Sequence, residues 1–216
     1  MARLSQNFLV DKKIVYLIRD IAMTLRKPVI EVGTGKGAIT EVINPDLTIE
    51  IDEELVKPLR GKFNVSVSDA RHIPFIRGSV ISSLPYHITS DFFSEIIKIN
   101  DIYSLLLIIQ SDFIVKLQEY PTYISFLSNY FFKISSIKKI PPSSFRPEPK
   151  VYSELVLLER TRKYDKQVDN LIGCISKYRN KSLKRASLLC GRNSVSTMKV
   201  NQFAPTDVSL LLDSII

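Results

Sequence analysis

Twelve consecutive residues, Val29-Ile30-Glu31-Val32-Gly33-Thr34-Gly35-Lys36-Gly37-Ala38-Ile39-Thr40, constrain this chain more than any other stretch. An apolar run holding one carboxylate meets three glycines at alternate positions, and an apolar-periodic segment follows. That order predicts a buried strand, a tight turn and a helix start. Glycine turns the backbone sharply and lets a ligand reach the main chain. The helix start points free N–H groups at that ligand.

Two ligand classes fit. Gly33-x-Gly35-x-x-Ala38 satisfies the loose dinucleotide pattern. Glu31-x-Gly33-x-Gly35-x-Gly37 is the tighter description and resembles motif I of class I S-adenosylmethionine (SAM) methyltransferases, whose carboxylate helps order the methionine side of the cofactor. A phosphate-binding P-loop is excluded, because no Gly-Lys-Ser/Thr follows a four-residue spacer. Glu50, seventeen positions after Gly33 at the end of a predicted strand, suits ribose hydroxyls of NAD or SAM alike. Asp69, at the end of the next strand, suits the exocyclic amine of adenine.

The alternation of strands and helices up to residue 133 predicts a doubly wound α/β sheet. Its strands are Val29–Val32, Leu47–Asp52, Val65–Asp69, Val80–Ser82 and the continuous apolar run Tyr103–Ile109, of the kind buried in a parallel sheet. Ile134–Ile140 and Val151–Leu158 read as a strand pair that adds an antiparallel edge. Asp11 is placed to cap a first helix carrying Ile14, Ile18, Ile21 and Leu25. Thr89–Ile99 reads as a helix, and Asp52–Leu59 as a short one kinked at Pro58. Beyond Arg160 the pattern turns helical, with candidate helices Leu171–Tyr178, Leu183–Leu189 and Val208–Ile216. Two domains are therefore expected, at 1–160 and 161–216.

Charge separates these domains. The net charge is +8. Eleven Lys/Arg fall between Arg160 and Lys199 against only Asp165 and Asp169, so that segment carries +9 and the rest is near neutral. Such a concentration is the footprint of a polyanion binder, with Arg179, Lys181, Lys184 and Arg185 the first RNA-binding candidates. No apolar run approaches the roughly 20 residues of a membrane span, and the N-terminus lacks the apolar region of a signal peptide. Cys174 and Cys190 resemble no metal site. The expectation is a cytoplasmic monomer without membrane partners or metal.

Ser83-Leu84-Pro85-Tyr86 lies where the fourth strand should end. It resembles the Asn/Asp/Ser-Pro-Pro-Tyr motif of amino-directed nucleic-acid methyltransferases. An adenine N6 lone pair is delocalised into the ring and attacks poorly. Two acceptors, Ser83 Oγ and the Leu84 carbonyl, can hold its N–H groups, with Pro85 shaping the turn and Tyr86 stacking on the extruded base.

Together with this loop, four further segments make the chain resemble the ribosomal RNA adenine N6,N6-dimethyltransferase (KsgA-like) family, in a short, archaeal-type form. Ser5-Gln6-Asn7-Phe8-Leu9 resembles its N-terminal signature, Glu50-Ile51-Asp52 its motif II and Ser68-Asp69-Ala70 its Gly-Asp-Ala. Pro142-x-x-Phe145-x-Pro147-x-Pro149-x-Val151-x-Ser153 resembles its late aromatic-proline motif. The resemblance implies a Rossmann-like SAM-binding domain in which Asn7, Leu9, Glu31, Gly33, Gly35, Gly37, Glu50, Asp69 and Ser83 meet the cofactor. It implies that Phe145 helps sandwich the target, and that the substrate is two adjacent adenines near the 3′ end of small-subunit rRNA, free or in a pre-small-subunit particle. The chain departs from the family's usual Asn-Leu-Pro-Tyr by carrying Ser83. Two other readings stay open: a non-catalytic SAM-binding relative that binds nucleic acid, and an NAD-dependent oxidoreductase.

Overall fold

A computed structural model describes residues 7–83 and 88–216. The chain forms two compact units, Met1–Ser111 with Ile134–Glu159, and Asp112–Lys133 with Arg160–Ile216.

The first unit is built on one sheet. Its strands are β2 (Val29–Val32), β3 (Leu47–Glu50), β4 (Val65–Val67), β5 (Arg77–Ser83), β6 (Asp101–Gln110), β7 (Phe132–Ile140) and β9 (Ser153–Arg160). The spatial order is β4-β3-β2-β5-β6-β9-β7. The first five are parallel, and β9 runs antiparallel to β6 with Ile108 opposite Leu155 and Gln110 opposite Ser153. This is the doubly wound sheet with an antiparallel edge that the sequence pattern predicts. β6 is central because Leu105 to Ile109 are apolar at every position, and each is at most 2 % exposed.

Helices cover the sheet. Asp11 caps α1 (Lys12–Ala22) by accepting from the Lys13 N–H at 2.9 Å, and Ile14, Val15, Ile18 and Ala22 face the core. The helix α2 (Thr40–Ile43) follows the glycine loop, and Asp52 caps α3 (Glu53–Val56). α3 stops before Leu59 because Pro58 has no N–H to continue the ladder. α4 (Thr89–Ile96) buries Phe92, Phe93 and Ile96 completely and ends one turn short of Ile99. A two-stranded antiparallel ribbon joins β1 (Phe8–Leu9) to β8 (Phe145–Arg146), with Leu9 opposite Phe145. Two-residue strands have no periodicity, so neither was legible in the sequence.

The second unit contains α5 (Ser111–Glu119) from residue 112 onward, α6 (Tyr123–Phe131), α7 (Lys166–Lys177), α8 (Leu183–Leu189) and α9 (Val208–Asp213). Asp169 on α7 is buried and accepts from the hydroxyls of Tyr123 (2.6 Å) and Tyr164 (2.7 Å). That pairing ties α6 to the C-terminal helices. The compact unit therefore includes α5 and α6, whereas the sequence-based boundary at 160 follows the point where the pattern turns helical and basic. Cys174 of α7 and Cys190 after α8 form a disulfide across a sequence separation of 16. Among the described residues no helix is long and apolar enough to cross a membrane.

Gly78 tests the sheet's packing. Its φ is 134°, and a Cβ there would stand 2.6 Å from the Pro28 carbonyl oxygen, where β5 shifts register. Gly78→Ala should lower unfolding free energy by about 1–3 kcal/mol, as read from denaturant titrations.

Candidate active site

The sheet's strand order reverses at β2, which pairs with β3 on one side and β5 on the other. Open α/β sheets bind ligands at the carboxyl ends of the strands flanking such a point. A cavity of about 540 Å³ lies there. Its floor is Val32 to Lys36 from the glycine loop, Ile49 to Ile51 from the end of β3, and Ser68 to Arg71 after β4. Ser83 borders it from the end of β5 and Ile88 from the start of α4, and the ribbon and its flanks contribute Asn7 to Val10, Phe145 and Arg146.

The glycines act at different points. Gly33 has φ 77°, and a Cβ there would sit 4.0 Å from the Ser83 carbonyl oxygen, so the loop and the end of β5 are immediate neighbours. Gly35 (φ 53°) lies under Phe8, whose ring would stand 3.0 Å from an added Cβ. Lys36 in turn sits 4.8 Å from the centre of the Phe8 ring. Gly37 does not line the cavity; it makes room for Leu59, 2.9 Å from where its Cβ would be.

Glu50 is 5 % exposed and fixed by backbone donors: Gly35 N–H to Oε2 at 2.9 Å, and Ile51 and Asp52 N–H to Oε1 at 2.9 and 3.1 Å. These bonds hold the carboxylate at the cavity wall and pin the glycine loop to β3. Asp52, two residues on, is used as the α3 cap and accepts from the Glu54 N–H at 3.0 Å. Asp69 also faces the cavity. Its two oxygens accept from Arg71 Nε (3.1 and 3.0 Å) and Nη2 (2.6 Å) and from the Arg71 N–H (2.9 Å). The Arg71 guanidinium holds the Asp69 carboxyl below the usual carboxylate range.

Of the residues expected from the sequence, Asn7, Leu9, Gly33, Gly35, Glu50, Asp69, Ser83 and Phe145 converge on this one cavity. Phe145 is only 2 % exposed and packs with Leu9, Ile14 and Ile108 in the core. Leu84, Pro85 and Tyr86 lie outside the described residues. Arg179, Lys181, Lys184 and Arg185 are all exposed on the second unit. The sequence reading did not anticipate Lys36, Arg71 and Arg146 at the cavity. Arg71 follows the Asp69-Ala70 pair directly, yet a lone basic residue after a strand carries no signal of its own.

A five-stranded parallel sheet, extended by β9, antiparallel to β6, and then β7, and carrying a glycine loop and two carboxylates around its switch point, defines the class I methyltransferase fold. The family model described as ribosomal RNA adenine dimethylase matches residues 2–204. The chain belongs to the ribosomal RNA adenine dimethylase family. It is 29% identical to ribosomal RNA small subunit methyltransferase A of Mycoplasmopsis pulmonis, over 76% of this chain and 72% of that one. It is 30% identical to the protein of the same name from Prochlorococcus marinus strain MIT 9301, over 93% and 83%. In structure it is similar to a dimethyladenosine transferase from Plasmodium falciparum, with TM-score 0.74, 22% identity and coverage of 83% and 74%. It is also similar to the 23S rRNA methyltransferase ErmE, with TM-score 0.72, 21% identity and coverage of 96% and 99%. Family membership sets aside the oxidoreductase reading.

Glu31 stands behind the site rather than in it. It is 1 % exposed and does not line the cavity. Burial pushes its pKa up to about 7, and the Glu50 carboxylate adds to the rise; Thr40 and Thr48 pull the other way. Glu31 Oε2 and the hydroxyls of both threonines nevertheless form no hydrogen bond of good geometry among the described residues. The folded protein therefore keeps a proton on Glu31 up to about pH 7, while the unfolded chain releases it near the ordinary 4.5. Stability from this site is full below pH 4.5 and falls as pH rises to about 7. Glu31→Gln should remove that fall. Its unfolding free energy should gain on the wild type by up to about 3 kcal/mol across this window, as followed by denaturant titrations at successive pH values.

Proposed function

We propose that this chain binds SAM in the cavity and transfers its methyl group to adenine N6 of small-subunit rRNA, at two adjacent adenines near the 3′ end. The observation that supports this best is the meeting of Glu50, Asp69 and Ser83 around one cavity in a chain of this family. The residues fit the cofactor. Glu50, already oriented by three N–H donors, offers its remaining lone pairs to ribose hydroxyls. Asp69, ionised and held by Arg71, accepts from the adenine amine in place of one of its Arg71 donors, and half-exposed Ile51 supplies an apolar wall of the cavity. Gly33 and Gly35 let the methionine end reach the main chain. Bound there, SAM would supply a methyl group activated by its sulfonium.

The protein's part is then alignment. Ser83 Oγ and the Leu84 carbonyl accept the two N–H groups of the target amine and turn its lone pair toward the methyl. Tyr86, with Phe145 from the ribbon, holds the extruded base. With SAM bound, the methyl would pass from its sulfonium sulfur to the amine nitrogen, leaving a neutral thioether, and the proton lost by the amine would go to solvent water. Serine is shorter than the family's usual asparagine and its hydroxyl both donates and accepts, so Ser83 bears on rate and on the step from mono- to dimethyl product. The segment 161–216, with Arg179, Lys181, Lys184 and Arg185, acts as an RNA-binding domain through phosphate contacts. The protein works as a cytoplasmic monomer on rRNA or the assembling small subunit.

Two measurements test this reading. In calorimetry, Glu50→Ala should weaken SAM binding by roughly 1.5–3 kcal/mol, the range for a hydrogen bond to a charged group; unchanged affinity would reject the ribose assignment. In single-turnover methylation of an rRNA hairpin or small subunit, Ser83→Ala should slow transfer by about 10²–10³, far more than it weakens SAM binding. Wild-type protein that binds SAM and RNA but transfers no methyl would instead identify a non-catalytic relative.

A further inference from the structure

The edge of the sheet beyond β6 carries a feature that the cofactor cavity does not use. Tyr152 is 49 % exposed, and the Lys139 ammonium lies 4.8 Å from the centre of its ring. The Tyr152 backbone is anchored, because its carbonyl accepts from the Ser111 N–H at 3.0 Å. Between residues 134 and 154 lie four cations, Lys138, Lys139, Arg146 and Lys150, and two carboxylates; Glu148 pairs with Arg146, and Glu154 lies within electrostatic reach of Lys139. All four cations are exposed.

Register fixes where this pair stands. Ser83 lies opposite Ile108 and Ile108 opposite Leu155, so β9 is two strands, about 10 Å, from the reacting end of β5. Gln110 lies opposite Ser153, and Tyr152 is one residue further on. Because β9 is antiparallel, its start lies at the carboxyl end of β6. Tyr152 therefore stands on the same rim as Ser83, about 10 Å further along the strand direction. Lysines on an edge strand commonly only discourage sheet extension. That reading accounts for Lys138. It leaves unexplained an exposed tyrosine held rigidly beside a cation on the rim where the substrate must arrive.

We infer that Tyr152 and Lys139 form a nucleotide subsite on the first unit, which takes a single-stranded RNA nucleotide flanking the target. The base stacks on the Tyr152 ring, and its phosphate meets Lys139. Aromatic rings bind unstacked bases of any identity, and ammonium groups bind the backbone, so the pair suits an extended strand rather than a duplex. The subsite rests on the proposed RNA methylation, and it would hold the strand so that the neighbouring base reaches Ser83.

The test is anisotropy with a labelled hairpin carrying the 3′-terminal small-subunit loop, and with the same hairpin made abasic at each loop position in turn. Tyr152→Ala should weaken binding about 5- to 150-fold, and Tyr152→Phe should bind like wild type. One abasic position should erase the difference between wild type and Tyr152→Ala, which locates the stacked base. Lys139→Ala should flatten the log–log salt slope by about 0.7. SAM affinity, measured alongside, should be unchanged in each variant. If Tyr152→Ala lost SAM binding as well, Lys139→Ala would decide, and an unchanged slope would overturn the inference. Wild-type protein that binds the hairpin while Tyr152→Ala binds it equally well would overturn the subsite alone. Wild-type protein that binds no rRNA hairpin would overturn the methylation reading with it.

Discussion

Parallel pairing of β2 with β5, with Val32 opposite Ser82, puts the glycine loop beside the residue proposed to hold the target amine. The chain needs forty-odd residues and two further strands to return from one to the other, and only the ladder brings them together. On its other side β2 pairs with β3, which ends at Glu50. A single four-residue strand, buried at every position, therefore sets the spacing between cofactor loop, ribose acceptor and reacting loop. The hydrogen bond from Gly35 to Glu50 closes this arrangement. It makes one carboxylate both a structural clasp and a ligand-facing group.

Charge is placed with the same economy. Three carboxylates lie near the switch point, and each has a different environment. Glu31 is wholly buried and tends toward its neutral form; Glu50 is held by backbone donors; Asp69 is held by a guanidinium. Two acidic groups can then face a ligand without a third charge close behind them. The cations that line the cavity are Lys36, Arg71 and Arg146, and the basic segment 160–199 lies on the second unit. Such a distribution suits a small nucleoside ligand inside and a polyanion outside.

The sequence by itself determined the elements whose residue pattern is local. The β2–turn–α2 start, the apolar β6, the helix Leu183–Leu189 and the Asp11 cap are legible because burial and capping leave a periodic or positional trace. So are Glu50, which ends β3, and Asp69, two residues past the end of β4. The division of charge between the two halves is a matter of counting residues. What only the tertiary structure decided are the contacts between segments far apart in the chain. Phe8 covers Gly35 and pairs through the ribbon with residues 145–146; Glu31 turns away from the cavity; Asp169 draws Tyr123, and with it α6, to the C-terminal helices. None leaves a pattern in the chain, because a hydrogen bond between residues 46 apart places no demand on the residues between them. The partner of a polar side chain is chosen by what packing brings within reach.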